Sequence, residues 1–250
     1  LPASVRLVVQ VLVVLILLNE GLRIRLWHDP SALQYAVEAV LTFVWITGIT
    51  NALNFFDGMD GLAAGISCII AVCLFAFAVN SGHVPLAAAS AAVAGASLGF
   101  LKYNFKPASI YMGDAGSTTL GFALASLALV VNLSHPSPLV GFIYIVVAFG
   151  VLIFDMTYIS VARIISGNVS DFKEWLEYTG KDHLHHRLVV MGMSQKRAVL
   201  FIYLITVCLC LNAFVLHKVY TFEAVILLIQ SAVILLMIME LMLTARGKIL

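Results

Sequence analysis

Charged residues are scarce in this sequence: Asp, Glu, Lys and Arg make up only 11% of its 250 residues. Soluble domains carry about 25% charged residues, so most of the surface of this chain does not face water. The formal net charge is +1, which provides no basic surface for nucleic acid, and we expect no nucleic-acid partner. The low charge therefore excludes most classes of soluble protein.

Cysteine and proline are also rare, with four and six residues respectively. The four cysteines, Cys68, Cys73, Cys208 and Cys210, all lie inside apolar runs. They show neither the spacing to histidine of a zinc site nor the pattern of a disulfide scaffold. We therefore expect them to be small, buried, apolar side chains.

The sequence contains no cleavable signal peptide, no internal repeat and no linker rich in Pro, Gly or Ser. A single integral membrane domain over residues 1–250 is therefore expected. The chain starts at Leu1 without a methionine and only a few residues before an apolar run. We expect that further sequence precedes it.

Long apolar runs dominate the sequence: 62% of the residues are hydrophobic and the mean hydropathy is +1.05. Runs of about 20 apolar residues predict transmembrane helices, and the absence of strict alternation excludes barrel strands. We predict an all-α, polytopic transmembrane helical bundle with about eight spans. The predicted spans are 4–18, 36–50, 62–80, 85–101, 118–133, 139–159, 198–216 and 222–243.

Basic residues are distributed unequally between the two sides of this predicted bundle. One side holds Arg6, Lys102, Lys106, Arg163, Lys173, Lys181, Arg187, Lys196, Arg197, Arg246 and Lys248. The other side holds only Arg23, Arg25 and Lys218. The positive-inside rule places the first set in the cytoplasm. The polar segments 51–61, 102–117 and 163–197 fall on that side, so we expect the chemistry at the cytoplasmic face of the membrane.

The first polar segment reads NALNFFDGMDGLA over residues 51–63. Asp57 and Asp60 are three residues apart and would point the same way on a helical turn. Carboxylates near membrane depth usually face a cavity, a partner or an ion, and Mg²⁺ with phosphate oxygens suits such a pair. The alternative is a polar helix cap, which would need only one of these polar residues.

The second polar segment places Asp114 between Gly113 and Gly116, just before a predicted span. Ser117 and the backbone amides that follow begin a helix, which is a natural cradle for phosphate. Asn104 could hydrogen-bond a base, and Tyr111 could stack on one. The alternative is that Asp114 is simply a helix N-cap.

The third polar segment contains His183, His185 and His186, followed by Arg187. A zinc site, a phosphate-binding site, a proton-transfer group and a solvated surface cluster all remain open for these histidines. Asp155, at the cytoplasmic end of the sixth predicted span, either pairs with Arg163 or lines the same cavity.

Gly95 and Gly99 form a small-xxx-small pattern in the fourth predicted span. This pattern favours close helix packing. We expect packing within the bundle, with pairing of two copies into a homodimer as the alternative.

In the three polar segments the sequence resembles the polyprenyl-phosphate N-acetylhexosamine-1-phosphate transferase superfamily. The matching blocks are 51–63 (NxxNFxDGxDGLA), 103–121 (YNxxPAxxYMGDxGSxxLG) and 183–188 (HLHHRL). The resemblance implies transfer of a sugar-1-phosphate from a UDP-N-acetylhexosamine to undecaprenyl phosphate with release of UMP, an initiating step of cell-envelope polysaccharide synthesis. It also implies Mg²⁺ as the cofactor, with Mn²⁺ as the alternative ion.

The resemblance further implies roles for individual residues. The implied metal ligands are Asp114 and Asp57. The implied catalytic residues are Asp57, Asp60, His183, His185 and His186. The implied substrate-binding residues are Asn54, Asn104, Tyr111 and Arg187, with Tyr111 near the uracil and the histidines at the pyrophosphate.

The pattern His183-Leu184-His185-His186 is more similar to the branch that uses UDP-N-acetylglucosamine or a related hexosamine. The peptidoglycan branch, phospho-N-acetylmuramoyl-pentapeptide transferase, tends to have three consecutive histidines and is the alternative. An ion-coupled membrane transporter is the alternative from a different class, but transporters usually show repeated halves. The superfamily also carries two adjacent aspartates, which this sequence lacks, and we expect that pair to lie before residue 1.

Overall fold

The computed structural model describes residues 3–165, 183–216 and 221–246, and the regular elements in these ranges are α-helices. They are α1 (Ala3–Asn19), α2 (Ala32–Phe56), α3 (Leu62–Asn80), α4 (Val84–Asn104), α5 (Gly113–Ser134), α6 (Pro138–Ala148), α7 (Gly150–Ile165), α8 (Leu184–Val190), α9 (Gln195–Val215) and α10 (Thr221–Arg246). The predicted orientation also uses residues outside the described ranges, namely Lys173, Lys181, Lys218 and Lys248.

Six of these helices are long and apolar enough to cross a membrane, and the number is seven if α6 and α7 together form one span. The first predicted span corresponds to a shorter apolar helix, Val5–Asn19. These findings confirm an all-α, multi-span membrane fold and agree approximately with the predicted eight spans.

The predicted span over 139–159 corresponds to two helices rather than to one straight helix, because α6 and α7 meet at an angle of 74°. The break falls at Phe149 and Gly150, and helix kinks commonly occur at glycine. Phe149 is fully buried, and a Cβ at Gly150 would lie 3.0 Å from the Leu209 side chain. The close approach of α9 therefore fixes the bend, and α7 leaves the direction of α6.

Two helices extend beyond the apolar runs that predict them. Residues 51–56 belong to α2 rather than to a loop, and α5 begins at Gly113 rather than at residue 118. Asn51 Nδ2 donates to Thr47 O (2.8 Å), and the Ser117 hydroxyl donates to Gly113 O (3.0 Å). Each side chain thus satisfies its polar group on the carbonyl four residues earlier and is accommodated inside a helix, which a hydropathy boundary does not detect.

The packing of α2 against α5 positions the polar segments. A Cβ at Gly121 would lie 2.8 Å from Thr50 Cα, so the two backbones are in close contact. Further along the same pair, Trp45 Nε1 donates to Ala125 O (3.1 Å). The end of α2 therefore lies beside the start of α5.

Buried polar contacts secure the opposite end of the bundle. Glu38 is fully buried in α2, where its carboxylate accepts hydrogen bonds from Arg23 Nε (2.9 Å) and the Leu26 backbone N–H (2.8 Å). Asn132 Oδ1 accepts from the Arg25 backbone N–H (2.6 Å). These bonds satisfy the backbone of the extended segment between α1 and α2, as a buried segment requires.

Two expectations about small residues are wrong. No atom of the described residues lies within 4 Å of a Cβ built at Gly95 or Gly99, so this face of α4 does not pack within that part of the chain. The homodimer stays a prediction. Cys73 and Cys210 are buried as expected and Cys68 is half-buried, but Cys208 is exposed on the surface of α9.

Candidate functional site

The turn over residues 57–61 connects α2 to α3 and is held from two sides. Gly61 has φ +82°, a left-handed conformation that favours glycine. Its N–H donates to Asn104 Oδ1 (3.0 Å), and its carbonyl accepts a hydrogen bond from the Tyr203 hydroxyl. Helices α4 and α9 thus fix the backbone that carries Asp57 and Asp60.

Asp57 is half-buried at the C-terminal end of α2, and this burial raises its pKa to about 6. A hydrogen bond from the Gly113 backbone N–H acts in the opposite direction, and the nearby charge of Asp114 raises the pKa further. The two carboxylates are therefore close enough to repel. A cation placed between them would relieve this repulsion.

Asp114 lies in the first turn of α5, where Asn54 orients its carboxylate. Asn54 Nδ2 donates to Asp114 Oδ1 (3.2 Å) and to the Ser117 hydroxyl (2.8 Å), and Arg6 lies 3.6 Å from the other Asp114 oxygen. The Asp114 side chain is 78% exposed and accessible to an ion, whereas Ser117 is fully buried. Ser117 therefore supports Asn54 and the helix start, and its hydroxyl does not face solvent.

Asp60 and Asn104 hold the loop between α4 and α5. Asp60 Oδ2 accepts from the Ala108 backbone N–H (3.2 Å), and Asn104 Nδ2 donates to Ile110 O (2.9 Å). Asn104 is buried with its oxygen and nitrogen both engaged, an arrangement that positions the loop. Tyr111 is 76% exposed at the end of this loop. Direct substrate contacts of Asn104 and Tyr111 stay predictions.

Residues 183–187, called the histidine segment below, are attached to α7 by Asp155. His183 Nδ1 lies 2.8 Å from Asp155 Oδ2, and the Leu184 N–H donates to Asp155 Oδ1 (2.7 Å). Asp155 is fully buried, and Phe55 at the end of α2 stacks on the His183 ring at 4.9 Å. Asp155 thus pairs with His183 and anchors the segment beside α2.

His185 lies against the turn that follows Asp57. A Cβ at Gly58 would be 3.0 Å from His185 Nε2, and the His185 ring centroid is 4.2 Å from that of His186. Only 1% of His185 is exposed. Burial lowers its pKa to about 3, with the charges of His186 and His183 adding to the effect, so the imidazole is neutral at pH 7.

The structure therefore brings the three polar segments together. Asp57 and Asp114 interact, and His185 packs beside Gly58. The hypothesis of a solvated cluster is wrong for His183 and His185, which are both buried. Over the described ranges, no group of three or more His, Cys, Asp or Glu residues could hold a metal ion. Two carboxylates suit Mg²⁺ completed by phosphate oxygens and water better than they suit zinc.

An open apolar groove of about 480 Å³ runs between α2 and the bent pair α6–α7. We call it the α7 groove; its lining includes Gly48, Ala52, Phe142, Val146, Thr157 and Val161. Ala52 lies only two residues before Asn54, so the groove approaches the candidate site. A second groove of about 480 Å³ lies between α1, α2 and α5, and its lining includes Arg6, Asp114 and Thr119.

The sequence model of the family described as glycosyl transferase family 4 matches residues 1–132 of this chain. This region contains Asp57, Asp114 and the helices that carry them. The chain belongs to this family. It is 36% identical over 222 residues to the probable undecaprenyl-phosphate N-acetylglucosaminyl 1-phosphate transferase of Bacillus subtilis (strain 168), covering 87% of this chain and 60% of the relative.

Two clostridial relatives also match this family 4 chain, and both are named phospho-N-acetylmuramoyl-pentapeptide-transferase. The Clostridium perfringens (strain SM101 / Type A) protein is 33% identical over 202 residues, 79% of this chain and 54% of the relative. The Clostridium botulinum (strain Eklund 17B / Type B) protein is 35% identical over 180 residues, 70% of this chain and 50% of the relative. The chain spans about half to 60% of the length of these relatives.

Three features of this family 4 site were not predicted from the sequence. They are the pairing of Asp155 with His183, the contact of Tyr203 with the 57–61 turn, and the α7 groove. Tyr203 is one polar hydroxyl in a long apolar run and carries no signal of its own. Gly150 inside the predicted sixth span was an available signal for the bend that opens the groove.

The buried His185 predicts a loss of stability in acid. Its pKa is about 6.5 in the unfolded chain and about 3 in the folded protein, so its contribution is complete above pH 6.5 and decreases as the pH falls towards 3. One such proton changes the free energy of unfolding by at most about 1.4 kcal/mol per pH unit.

We expect His185→Gln to lose less thermal stability than wild type between pH 7.5 and pH 5. The measurement is the unfolding temperature in detergent at both values. His28→Gln is the control, because His28 is exposed far from the site. Equal acid-induced shifts for wild type and His185→Gln would contradict the prediction.

Proposed function

We propose that this chain transfers a sugar-1-phosphate from a UDP-sugar to undecaprenyl phosphate. The first candidate for the transferred group is N-acetylglucosamine-1-phosphate. The reaction uses Mg²⁺ at the cytoplasmic face of the bacterial inner membrane and releases UMP. The observation that carries the proposal is that the Gly113 N–H and Asn54 hold Asp57 and Asp114 beside each other, next to the histidine segment. The position of the basic residues supports the cytoplasmic side.

The chemistry is a displacement at phosphorus. An oxygen of the lipid phosphate forms a bond to the sugar-bearing phosphorus of the UDP-sugar, and the bond from that phosphorus to the bridging oxygen breaks. The electron pair of that bond leaves with UMP. A phosphate monoester has its second pKa near about 6 and is largely ionised at pH 7, so the acceptor needs little help from a base.

The main task of the site is to bring two anions together. Asp57 and Asp114 would hold Mg²⁺, which neutralises the diphosphate and stabilises the leaving phosphate when bound. Asn54 keeps the Asp114 carboxylate oriented for this contact. His183 uses Nδ1 for Asp155, so its contact to a phosphate oxygen would be made through Nε2.

The sugar is assigned from two sources. The Bacillus subtilis relative is named for N-acetylglucosaminyl 1-phosphate transfer, and it covers more of this chain than the clostridial relatives do. The histidine pattern His183-Leu184-His185-His186 also differs from three consecutive histidines. Transfer of phospho-N-acetylmuramoyl-pentapeptide, the activity in the names of the clostridial relatives, is the second candidate.

The direct test is UMP release by the purified protein in detergent with undecaprenyl phosphate and Mg²⁺. We expect release with UDP-N-acetylglucosamine, less release with UDP-N-acetylmuramoyl-pentapeptide, and none after chelation with EDTA until Mg²⁺ or Mn²⁺ is restored. Equal release without the lipid, or no release with either donor, would overturn the proposal. Faster release with the pentapeptide donor would show that the transferred group is phospho-N-acetylmuramoyl-pentapeptide and not N-acetylglucosamine-1-phosphate.

The α7 groove is the proposed site for the polyprenyl chain, because its lining is almost wholly apolar. Gly48 faces this groove with no described atom within 4 Å of an added Cβ, so a leucine there would occupy the space of the lipid. We expect Gly48→Leu to raise the KM for undecaprenyl phosphate about tenfold, equivalent to about 1.4 kcal/mol. The KM for the UDP-sugar should not change.

Two further variants control this measurement. Gly95→Leu places the same side chain on an exposed face of α4 that lines neither groove, and it should leave the KM for undecaprenyl phosphate as in wild type. Thr119→Leu narrows the second groove, between α1, α2 and α5. If Thr119→Leu raises the lipid KM and Gly48→Leu does not, the polyprenyl chain lies in the second groove and the assignment is wrong.

A further inference from the structure

Helix α7 has two faces with different contacts. One face lines the α7 groove with Met156, Thr157, Ser160 and Val161. Asp155 and Tyr158 do not line the groove and instead contact the histidine segment. The same stretch of helix, residues 155–161, therefore contacts both the α7 groove and the histidine segment.

The contacts to the histidine segment are specific and short. The Asp155 carboxylate, fully buried, bonds both His183 Nδ1 (2.8 Å) and the Leu184 backbone N–H (2.7 Å). One turn further along α7, the Arg187 guanidinium donates to the Tyr158 hydroxyl (3.3 Å) and lies 5.1 Å from the Tyr158 ring centroid. Hydrogen bonds with a charged partner are stronger than neutral ones, so displacement of α7 would move the histidine segment with it.

Helix α7 is not a straight continuation of α6. It departs from α6 by 74° at Phe149 and Gly150, so its position depends on the elements that pack on its sides, Leu209 of α9 among them. A polyprenyl chain in the α7 groove would pack on one of those sides along Thr157 and Val161. Filling an open apolar groove removes apolar surface from contact with loosely packed lipid and orders the helix that forms its wall.

We propose that Asp155 and Tyr158 are positioning residues through which the polyprenyl chain in the α7 groove aligns His183 and Arg187 with the diphosphate. This proposal rests on the proposed function. Binding energy from a part of the substrate remote from the reacting atoms then raises kcat and does not only lower KM. A prenyl phosphate too short to fill the groove should consequently lose turnover as well as affinity.

The test compares two acceptors, undecaprenyl phosphate and a ten-carbon prenyl phosphate, in the UMP-release assay with the full chain. For wild type we expect kcat to be on the order of tenfold higher with the long acceptor. In Asp155→Asn and in Tyr158→Phe we expect this kcat ratio to fall towards one, while the ratio of the two KM values stays as in wild type. If these two residues had only a structural role, each substitution would change kcat by the same factor for both acceptors, and the kcat ratio would stay as in wild type.

Each variant has a matched control at an exposed position near the start of α2, at the end of the bundle opposite to the histidine segment. Asp29→Asn repeats the loss of a carboxylate, and Tyr35→Phe repeats the loss of a hydroxyl; both should keep the wild-type kcat ratio. Tyr158→Phe removes a single oxygen and keeps the test valid if Asp155→Asn does not fold.

The outcomes separate this proposal from the proposed function. If the variants lower kcat by the same factor for both acceptors, or leave both values unchanged, α7 does not couple the two sites and only this proposal is overturned. If wild type shows no kcat gain from the long acceptor, this proposal is also overturned. If wild type releases UMP with neither acceptor, the proposed function fails and this proposal fails with it.

Discussion

Replacing Asp114 by Asn should lower Mg²⁺-dependent UMP release by about 100- to 1,000-fold, the scale for losing one electrostatic contact to a developing charge. The amide has nearly the shape of the carboxylate but lacks the negative charge that holds a cation. Because the Asp114 side chain is 78% exposed, the substitution should leave the protein folded. The effect should therefore be on catalysis and not on stability.

The measurement is the rate of UMP release as a function of Mg²⁺ concentration, together with the unfolding temperature in detergent. Asp29→Asn is the matched control, because this aspartate is exposed in the segment between α1 and α2. It should behave as wild type in both measurements. Near-wild-type turnover of Asp114→Asn would show that Asp114 is not the principal metal ligand.

A single methyl group at Gly121 should reduce both stability and activity. An added Cβ would lie 2.8 Å from Thr50 Cα and 3.1 Å from Thr50 O. These are backbone atoms that cannot rotate away, so α2 and α5 must separate at a cost of about 1–3 kcal/mol. The separation would move Asp114 away from Asn54 and Asp57, and a displacement of about 1 Å can lower turnover about 100-fold.

Gly121→Ala should thus lower the unfolding temperature and, in the fraction that remains folded, lower kcat. Gly95→Ala is the matched control, because a Cβ there meets no described atom within 4 Å and the substitution should be neutral or slightly stabilising. A Gly121→Ala protein with wild-type stability and kcat would contradict the role of this helix crossing in placing the two carboxylates.

Local patterns in the sequence were sufficient to predict the helical membrane fold and the residues that gather at the site. Asp57, Asp114 and His185 are ionisable groups between long apolar runs, where such groups usually mark a functional site. Their joint location on one side followed from the distribution of Lys and Arg. The interaction between Asp57 and Asp114 agrees with this expectation.

The partners of individual side chains could not be predicted, because they depend on how the helices pack. Asp155 was visible as an acid beside an apolar run, but its bond to His183 joins residues 28 positions apart. Asn104 bonds both Gly61 and Ile110 within the protein, a pair of partners that the sequence did not indicate, and its contact with a base stays a prediction. Amide and carboxylate side chains can hydrogen-bond a substrate or the backbone of a loop equally well, so residue type alone does not distinguish the two roles.

The helix boundaries and the bend have a different explanation. Hydropathy marks where apolar residues end, whereas α2 and α5 include the polar residues Asn51 and Ser117, whose side chains bond to the carbonyl four residues earlier in the same helix. The break between α6 and α7 occurs inside a continuous apolar run. It depends on the contact of Gly150 with Leu209 of α9, which only the folded bundle brings about.

If Asp57, Asp114 and the histidine segment form one site that cleaves a diphosphate, the sugar-bearing phosphate must pass from the UDP-sugar to the lipid. The most direct measurement uses UDP-N-acetylglucosamine labelled with ³²P in the phosphate next to the sugar, mixed with undecaprenyl phosphate, Mg²⁺ and the purified chain. We expect the label to move into the lipid fraction together with an equal amount of unlabelled UMP. Label that stays in the aqueous phase as UDP, or that never leaves the donor, would contradict it.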